Sequence, residues 1–193
     1  MTTLEIELAP TLTLTDTQLA EICRNNRDLR FERTANGDLI VMSPTGSETG
    51  NRNVSISGQL WLWNQQKKPG YVFDSSTGFK LPNGAIRSPD ASWIARDRWE
   101  ALSAEEREKF APICPDFVVE LRSTSDRLQL LQEKMVEYIE CGCRLGWLLD
   151  VTRKQVEVYR SNESVAILDA PTQLSGDEVL LGFELDLTEI FTP

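Results

Sequence analysis

The sequence predicts an α/β domain whose central sheet is mixed, in part parallel, and flanked by helices. Three observations carry this. Phe117-Val118-Val119-Glu120-Leu121 and Leu145-Gly146-Trp147-Leu148-Leu149-Asp150 are short apolar runs of the kind buried on both sheet faces. Between them, Leu128, Leu131, Met135, Tyr138 and Ile139 recur at helical spacing over 127–140, and Gly142 closes that helix. Strand, helix and strand in this order form a βαβ-like unit, which makes part of the sheet parallel.

The remaining elements follow in order. Residues 1–14 read as a loosely held lead-in, and 15–193 as one domain. Thr15-Asp16-Thr17-Gln18 has the pattern of a capping box, with a helix to about Arg24. Asn36-Gly37 lies between the runs 29–33 and 38–42, which signals a hairpin. A helix is expected over 47–66, with Val54, Ile56, Leu60, Trp61 and Trp63 as its apolar side and Pro69-Gly70 as its stop. Tyr71-Val72-Phe73 and Asp90-Ala91-Ser92-Trp93-Ile94 read as strands, with a turn at Pro82-Asn83-Gly84 between them. Ser103 and Glu106 mark a helix start, and Asp126, with Ser125 as competitor, is the expected N-cap of the helix over 127–140. Gln155 to Tyr159 alternates as a half-exposed strand, and 178–190 has strand character interrupted at Gly182.

A chain of 193 residues can bury a core without disulfides or structural metal. The N-terminal MTTLEIELAP has no positive run before an apolar stretch, so no signal peptide is expected there. No apolar run approaches the ~20 residues a membrane helix needs. The expectation is a soluble, cytoplasmic protein with no membrane partner. The four cysteines, Cys23, Cys114, Cys141 and Cys143, include no CxxC pair and read as reduced thiols. The chain has no His, which removes Ser-His and Cys-His catalysis. Acid–base or metal chemistry must rest on Asp, Glu, Lys, Tyr or water. The net charge of −10 runs against the basic character of most nucleic-acid-binding domains.

Two segments can carry chemistry: Arg87-Ser88-Pro89-Asp90, and Pro115 to Ser123. Alternation on a strand puts Val118, Glu120 and Arg122 on one face. A Glu inside an apolar strand is costly to bury unless paired or bound to metal. Arg122 is the local candidate partner, so a structural Glu120–Arg122 ion pair and a functional Glu120 weigh equally at this point. Two carboxylates on neighbouring strands repel, and a divalent cation removes the conflict. Oxygen-only ligands suit Mg²⁺ or Mn²⁺ better than zinc.

The runs R-S-P-D-A-S-W, P-D-F-V-V-E-L-R-S-x-S-D and K-M-V-E-Y-I-E-C-G, with N-G-D-L-I-V-M-S-P-T-G before them and G-F-E-L-D-L-T-E-I-F after, resemble the restriction endonuclease-like family of the PD-(D/E)xK nuclease superfamily. The resemblance spans about 15–191 and implies a restriction-endonuclease-like core. It implies Asp90 and Glu120 as holders of Mg²⁺ or Mn²⁺, with Leu121 offering a backbone carbonyl. The motif Lys is replaced by Arg122, which stays charged and cannot act as a base. The resemblance points instead to Lys134, which lies about 90° from the centre of the apolar stripe of its helix, at the boundary where a Lys stem reaches inward. It adds Glu48, at the start of the helix over 47–66, as a fourth catalytic candidate, beside the plainer role of favourable charge at a helix N-terminus. Asp116 also follows a Pro, but four residues along the strand from Glu120 it is too distant to share one small ion. The implied activity is metal-dependent phosphodiester hydrolysis in nucleic acid, DNA foremost, by a homodimer. Arg24, Arg27, Arg30 and Arg33, recurring every third residue, are the candidate basic face. Arg122 and the net charge favour one alternative, a catalytically degenerate interaction module; a hydrolase of small phosphodiesters on the same scaffold is a second.

Overall fold

The structure is a computed structural model and describes residues 3–9 and 11–192. Strand β1 (Thr3–Ile6) is followed by helix α1 (Asp16–Asn25), strands β2 (Arg30–Arg33) and β3 (Leu39–Met42), and the long helix α2 (Ser47–Lys67). Then come β4 (Gly70–Asp74), β5 (Phe79–Lys80), β6 (Ile86–Arg87), β7 (Ala91–Ala95), and the short helices α3 (Arg96–Glu100) and α4 (Ala104–Arg107). The expected strand–helix–strand unit is β8 (Phe117–Arg122), α5 (Leu128–Glu140) and β9 (Leu145–Asp150). The chain finishes with β10 (Gln155–Arg160), β11 (Ala166–Asp169), β12 (Gln173–Ser175) and β13 (Glu184–Asp186).

A six-stranded sheet, ordered β11-β10-β9-β8-β7-β4, forms the centre. Within this sheet β8 and β9 pair in parallel, Phe117 beside Leu145 through Arg122 beside Asp150, because α5 carries the chain back across the sheet. The neighbours β7 and β10 run antiparallel, so the sheet is mixed as expected. A five-stranded sheet, ordered β1-β3-β2-β6-β5, stands beside it. The Asn36-Gly37 hairpin joins β2 to β3, with Gly37 at φ 96°, a conformation that glycine adopts without strain. Thr3–Ile6, within the stretch read as a lead-in, pairs with β3.

The two faces of β8 are covered by different helices. Phe117, Val119 and Leu121 pack with Ile56 and Leu60 of α2. Val118 packs with Met135 and Tyr138 of α5. Trp63, Phe117, Trp147 and Phe183 form an aromatic cluster on the α2 side.

Several sequence expectations are corrected. α2 buries a narrow stripe of Ile56, Leu60 and Asn64, while Val54 is 71% and Trp61 53% exposed, because only one side of α2 meets the sheet. The segment 178–190 contributes only β13. Leu180, Phe183, Leu187 and Ile190 are buried, so the segment is apolar for packing rather than for pairing. The two capping boxes, Thr15 with Gln18 and Ser103 with Glu106, are formed. Asp126 does not cap α5. Arg127 occupies that position without a side-chain cap, and the Asp126 carboxylate instead accepts from the Ser123 amide at 2.8 Å, closing the turn between β8 and α5.

Candidate active site

Glu120 sits near the end of β8, on the face covered by α5, and is 4% exposed. Lys134 and Tyr138 are one helical turn apart, so both reach the same point of the sheet. Lys134 Nζ lies 2.8 Å from Glu120 Oε1, and the Tyr138 hydroxyl donates to that oxygen at 3.1 Å. Among the described residues nothing donates to Glu120 Oε2.

Burial pushes the Glu120 carboxyl up to about 7; Lys134 pulls it down, and the nearby Asp90 and Glu32 carboxylates push it up. Lys134 shows the opposite balance. Burial alone would lower it, but Glu120 and Glu32 outweigh this and hold the ammonium above its ordinary value. The carboxylates on either side of Lys134 thus favour its charged form. Burial and the same carboxylates hold the Tyr138 phenol well above its ordinary range, so it remains a donor.

Asp90 immediately precedes β7. The register pairs Ala91 with Val119 and Ser92 with Val118, and one further step sets Asp90 opposite Glu120. The Leu121 amide donates to Asp90 Oδ2 at 2.9 Å, and Asn53 Nδ2 of α2 donates to Oδ1 at 3.1 Å. Loss of water around the carboxylate raises Asp90, and this prevails over the lowering by Leu121, Lys134, Asn53 and Arg30. Asn53 Oδ1 is buried and accepts no hydrogen bond.

Glu32 joins the site without having been marked by the sequence. Alternation on β2 turns Arg30 and Glu32 to the same side. Glu32 is 2% exposed and meets Lys134 Nζ at 2.8 Å, Arg87 Nη1 at 3.2 Å and the Ser88 amide at 2.9 Å. Burial pushes its carboxyl up, but Lys134 and Arg87 outweigh that and keep it below the ordinary glutamate value. No local signal marks Glu32, since a four-residue hairpin strand does not reveal what its faces will meet. Asn53 was missed for the same reason: its partner is 37 residues away.

The structural pairing proposed for Glu120 with Arg122 is not formed. Arg122 points past Glu120 to Asp150, its neighbour in the parallel register, at 2.6 Å, and Lys134 takes the place beside Glu120. Asp116 lies beyond the other end of β8, where it accepts from the Ala95 amide at 2.9 Å and pairs with Arg98 at 2.9 Å. Glu48 is 67% exposed and pairs with Arg52 at 3.0 Å. It is turned about 140° around α2 from Asn53, the residue of that helix that reaches Asp90. The four arginines do not form one face. Arg33 is buried against Asp16 and the Leu14 carbonyl, Arg24 is exposed beside Glu21, and Arg30 donates to the Ser75 carbonyl at 3.1 Å.

No three His, Cys, Asp or Glu side chains converge as a metal cluster among the described residues. The donors at the Asp90–Glu120 corner are nevertheless all hard oxygens: two carboxylates that raise one another's cost of ionising, Glu120 Oε2 without a donor, and the unpartnered Asn53 Oδ1. That set fits Mg²⁺ or Mn²⁺, which take carboxylate and carbonyl oxygens and retain waters. The four cysteines are free thiols, with Cys114 and Cys143 buried.

Residues 16–188 match the family described as Uma2, putative restriction endonuclease. No curated protein shows a significant match. The fold resembles a crystal structure from Anabaena variabilis, described as a putative nuclease belonging to DUF820, with a TM-score of 0.70 and 18% identity over 83% of this chain and 89% of that one. The likeness shows a restriction-endonuclease-like fold.

Proposed function

Because the chain belongs to the Uma2 family of restriction-endonuclease-like proteins, we propose that it is a nuclease that hydrolyses phosphodiester bonds in DNA with Mg²⁺ or Mn²⁺ held by Asp90 and Glu120. The observation that supports this reading is the Leu121 amide on Asp90 Oδ2, which ties Asp90 to the residue next to Glu120 at the end of β8. When bound, the metal ion polarises a phosphoryl oxygen and acidifies a water.

The protein's own residues supply the rest. Asn53 and the Leu121 amide orient Asp90. Lys134, held protonated, places positive charge where negative charge gathers on the phosphate in the transition state and orients the attacking water through its N–H donors. Glu48 contributes from the exposed rim, through the outer water shell.

A homodimer in the cytoplasm is part of the proposal, with the net charge of −10 opposing the approach of a long polyanion. No helix among the described residues is long and apolar enough to cross a membrane. The same charge favours a second reading, hydrolysis of small phosphodiesters at this site.

The test uses supercoiled plasmid, single-stranded DNA, RNA and bis(p-nitrophenyl) phosphate, each with Mg²⁺, Mn²⁺ or EDTA. DNA cleavage that needs metal and is lost in Glu120→Gln supports the nuclease. Turnover of the small ester alone supports the second reading. Inertness towards every substrate in the folded protein, with no metal bound, would leave a degenerate interaction module.

A further inference from the structure

The Asp90–Glu120–Lys134 arrangement contains an internal conflict. A divalent cation on Glu120 draws that carboxylate away from Lys134 and repels the ammonium that lies 2.8 Å from Oε1. Something else must keep Lys134 in place. Glu32 is on the other side of Lys134, also 2.8 Å from Nζ, and it approaches from β2 of the five-stranded sheet while Glu120 approaches from the six-stranded one.

Glu32 is itself immobilised. Its Oε1 accepts from Lys134 and the Ser88 amide, and its Oε2 from Arg87. Arg87 is held in turn by Glu137 of α5 at 2.5 Å, and Glu137 also accepts from Asn83 at 2.9 Å. Glu32 is thus held by three donors, two of them the cationic Lys134 and Arg87, which makes it a fixed counter-charge. Lys134, with three N–H donors, can give one to Glu32 and still present another to a phosphate or water.

We propose that Glu32 is the positioning residue that retains Lys134 beside the Asp90–Glu120 corner when a divalent cation is bound there. This rests on the metal site of the preceding reading, and the test separates the two. Mn²⁺ binding is measured directly by titration calorimetry in the wild type, Glu32→Gln, Glu32→Asp, Lys134→Met, and the double variant Glu32→Gln with Lys134→Met. Circular dichroism checks folding.

The expected result is an Mn²⁺ affinity about tenfold or more weaker in Glu32→Gln, the range seen when an outer-shell partner of a metal ligand is removed. Binding should recover to near the wild-type level in the double variant, because no ammonium is left to oppose the ion. Glu32→Asp, which keeps the charge, should fall between. A purely structural Glu32 predicts the reverse for the double variant: no recovery, since the Arg87 and Ser88 contacts remain broken. That outcome, or unchanged binding in Glu32→Gln, overturns the proposal. If Glu32→Gln does not fold, Glu32→Asp with and without Lys134→Met decides by the same criterion. No Mn²⁺ binding in the wild type removes the metal site itself, and the proposal with it.

Discussion

The Leu121 amide donates to Asp90 Oδ2 at 2.9 Å, so the aspartate before β7 is fixed to the residue that follows Glu120. This bond holds Asp90 at the end of β8 that carries Glu120. Asp90→Asn keeps much of the shape and removes the charge. It should lower metal-dependent cleavage by at least about 100-fold, beyond most outer-shell effects, with folding retained. Single-turnover cleavage and a melting curve on the same sample check this.

The metal-free protein should lose stability as pH rises from about 4.5 towards 7. Glu120 has its folded value raised to about 7 from an ordinary 4.5, chiefly by burial. Below both values it is neutral in the folded and unfolded chains alike. Between them the unfolded chain ionises and the folded one holds its proton, so each step up in pH favours unfolding. The cost by pH 8 is on the order of 3 kcal/mol, and Asp90, also raised by burial, adds in the same direction. Glu32, held low, works oppositely, but over a more acidic range. Thermal melts from pH 5 to 8 should show the decline in wild type, a flatter profile in Glu120→Gln, and recovery of the wild type with Mg²⁺. A wild-type profile as flat as that of Glu120→Gln would contradict the assignment.

Arg122 and Lys134 should separate cleanly. Arg122 pairs with the buried Asp150, so Arg122→Met leaves that carboxylate only its contacts with Arg153 and should cost roughly 2 kcal/mol of stability. The folded fraction should cleave at the wild-type rate. Lys134→Met also removes the partner of the buried Glu32 and Glu120 and should cost stability, but it should in addition reduce kcat per folded molecule by about 100-fold or more through loss of transition-state charge stabilisation. Denaturant unfolding, with kcat per folded molecule, distinguishes the two. Equal losses of kcat would return the motif role to Arg122.

Two residues of α2 should also differ. Asn53 touches Asp90, and Asn53→Ala should weaken Mn²⁺ binding by about tenfold. Glu48 is exposed and engaged with Arg52, so Glu48→Gln should change cleavage by less than about tenfold. A collapse of cleavage in Glu48→Gln would show that the helix start moves onto the ion.

The sequence by itself determined the elements whose causes are local. The capping boxes at Thr15 and Ser103, the hairpin at Asn36-Gly37 and the periodic face of α5 depend on neighbours within a few residues, and all are formed. The run of apolar residues in β8 announced a strand buried on both faces and made Glu120 conspicuous. The restriction-endonuclease-like family and its mixed sheet were legible from separated motifs in the right order. Partner choice was decided only in three dimensions. The sequence sets Arg122 two residues from Glu120, but parallel pairing with β9 gives Arg122 to Asp150, and the crossing of α5 gives Glu120 to Lys134. Glu32 and Asn53 acquire their roles from contacts 102 and 37 residues away in the chain. The apolar side of α2 likewise depended on how much of that helix the sheet could cover, which left Val54 and Trp61 in solvent. Charge pairing and burial depend on distances set by packing, and one-dimensional spacing fixes such distances only within a single helix or strand.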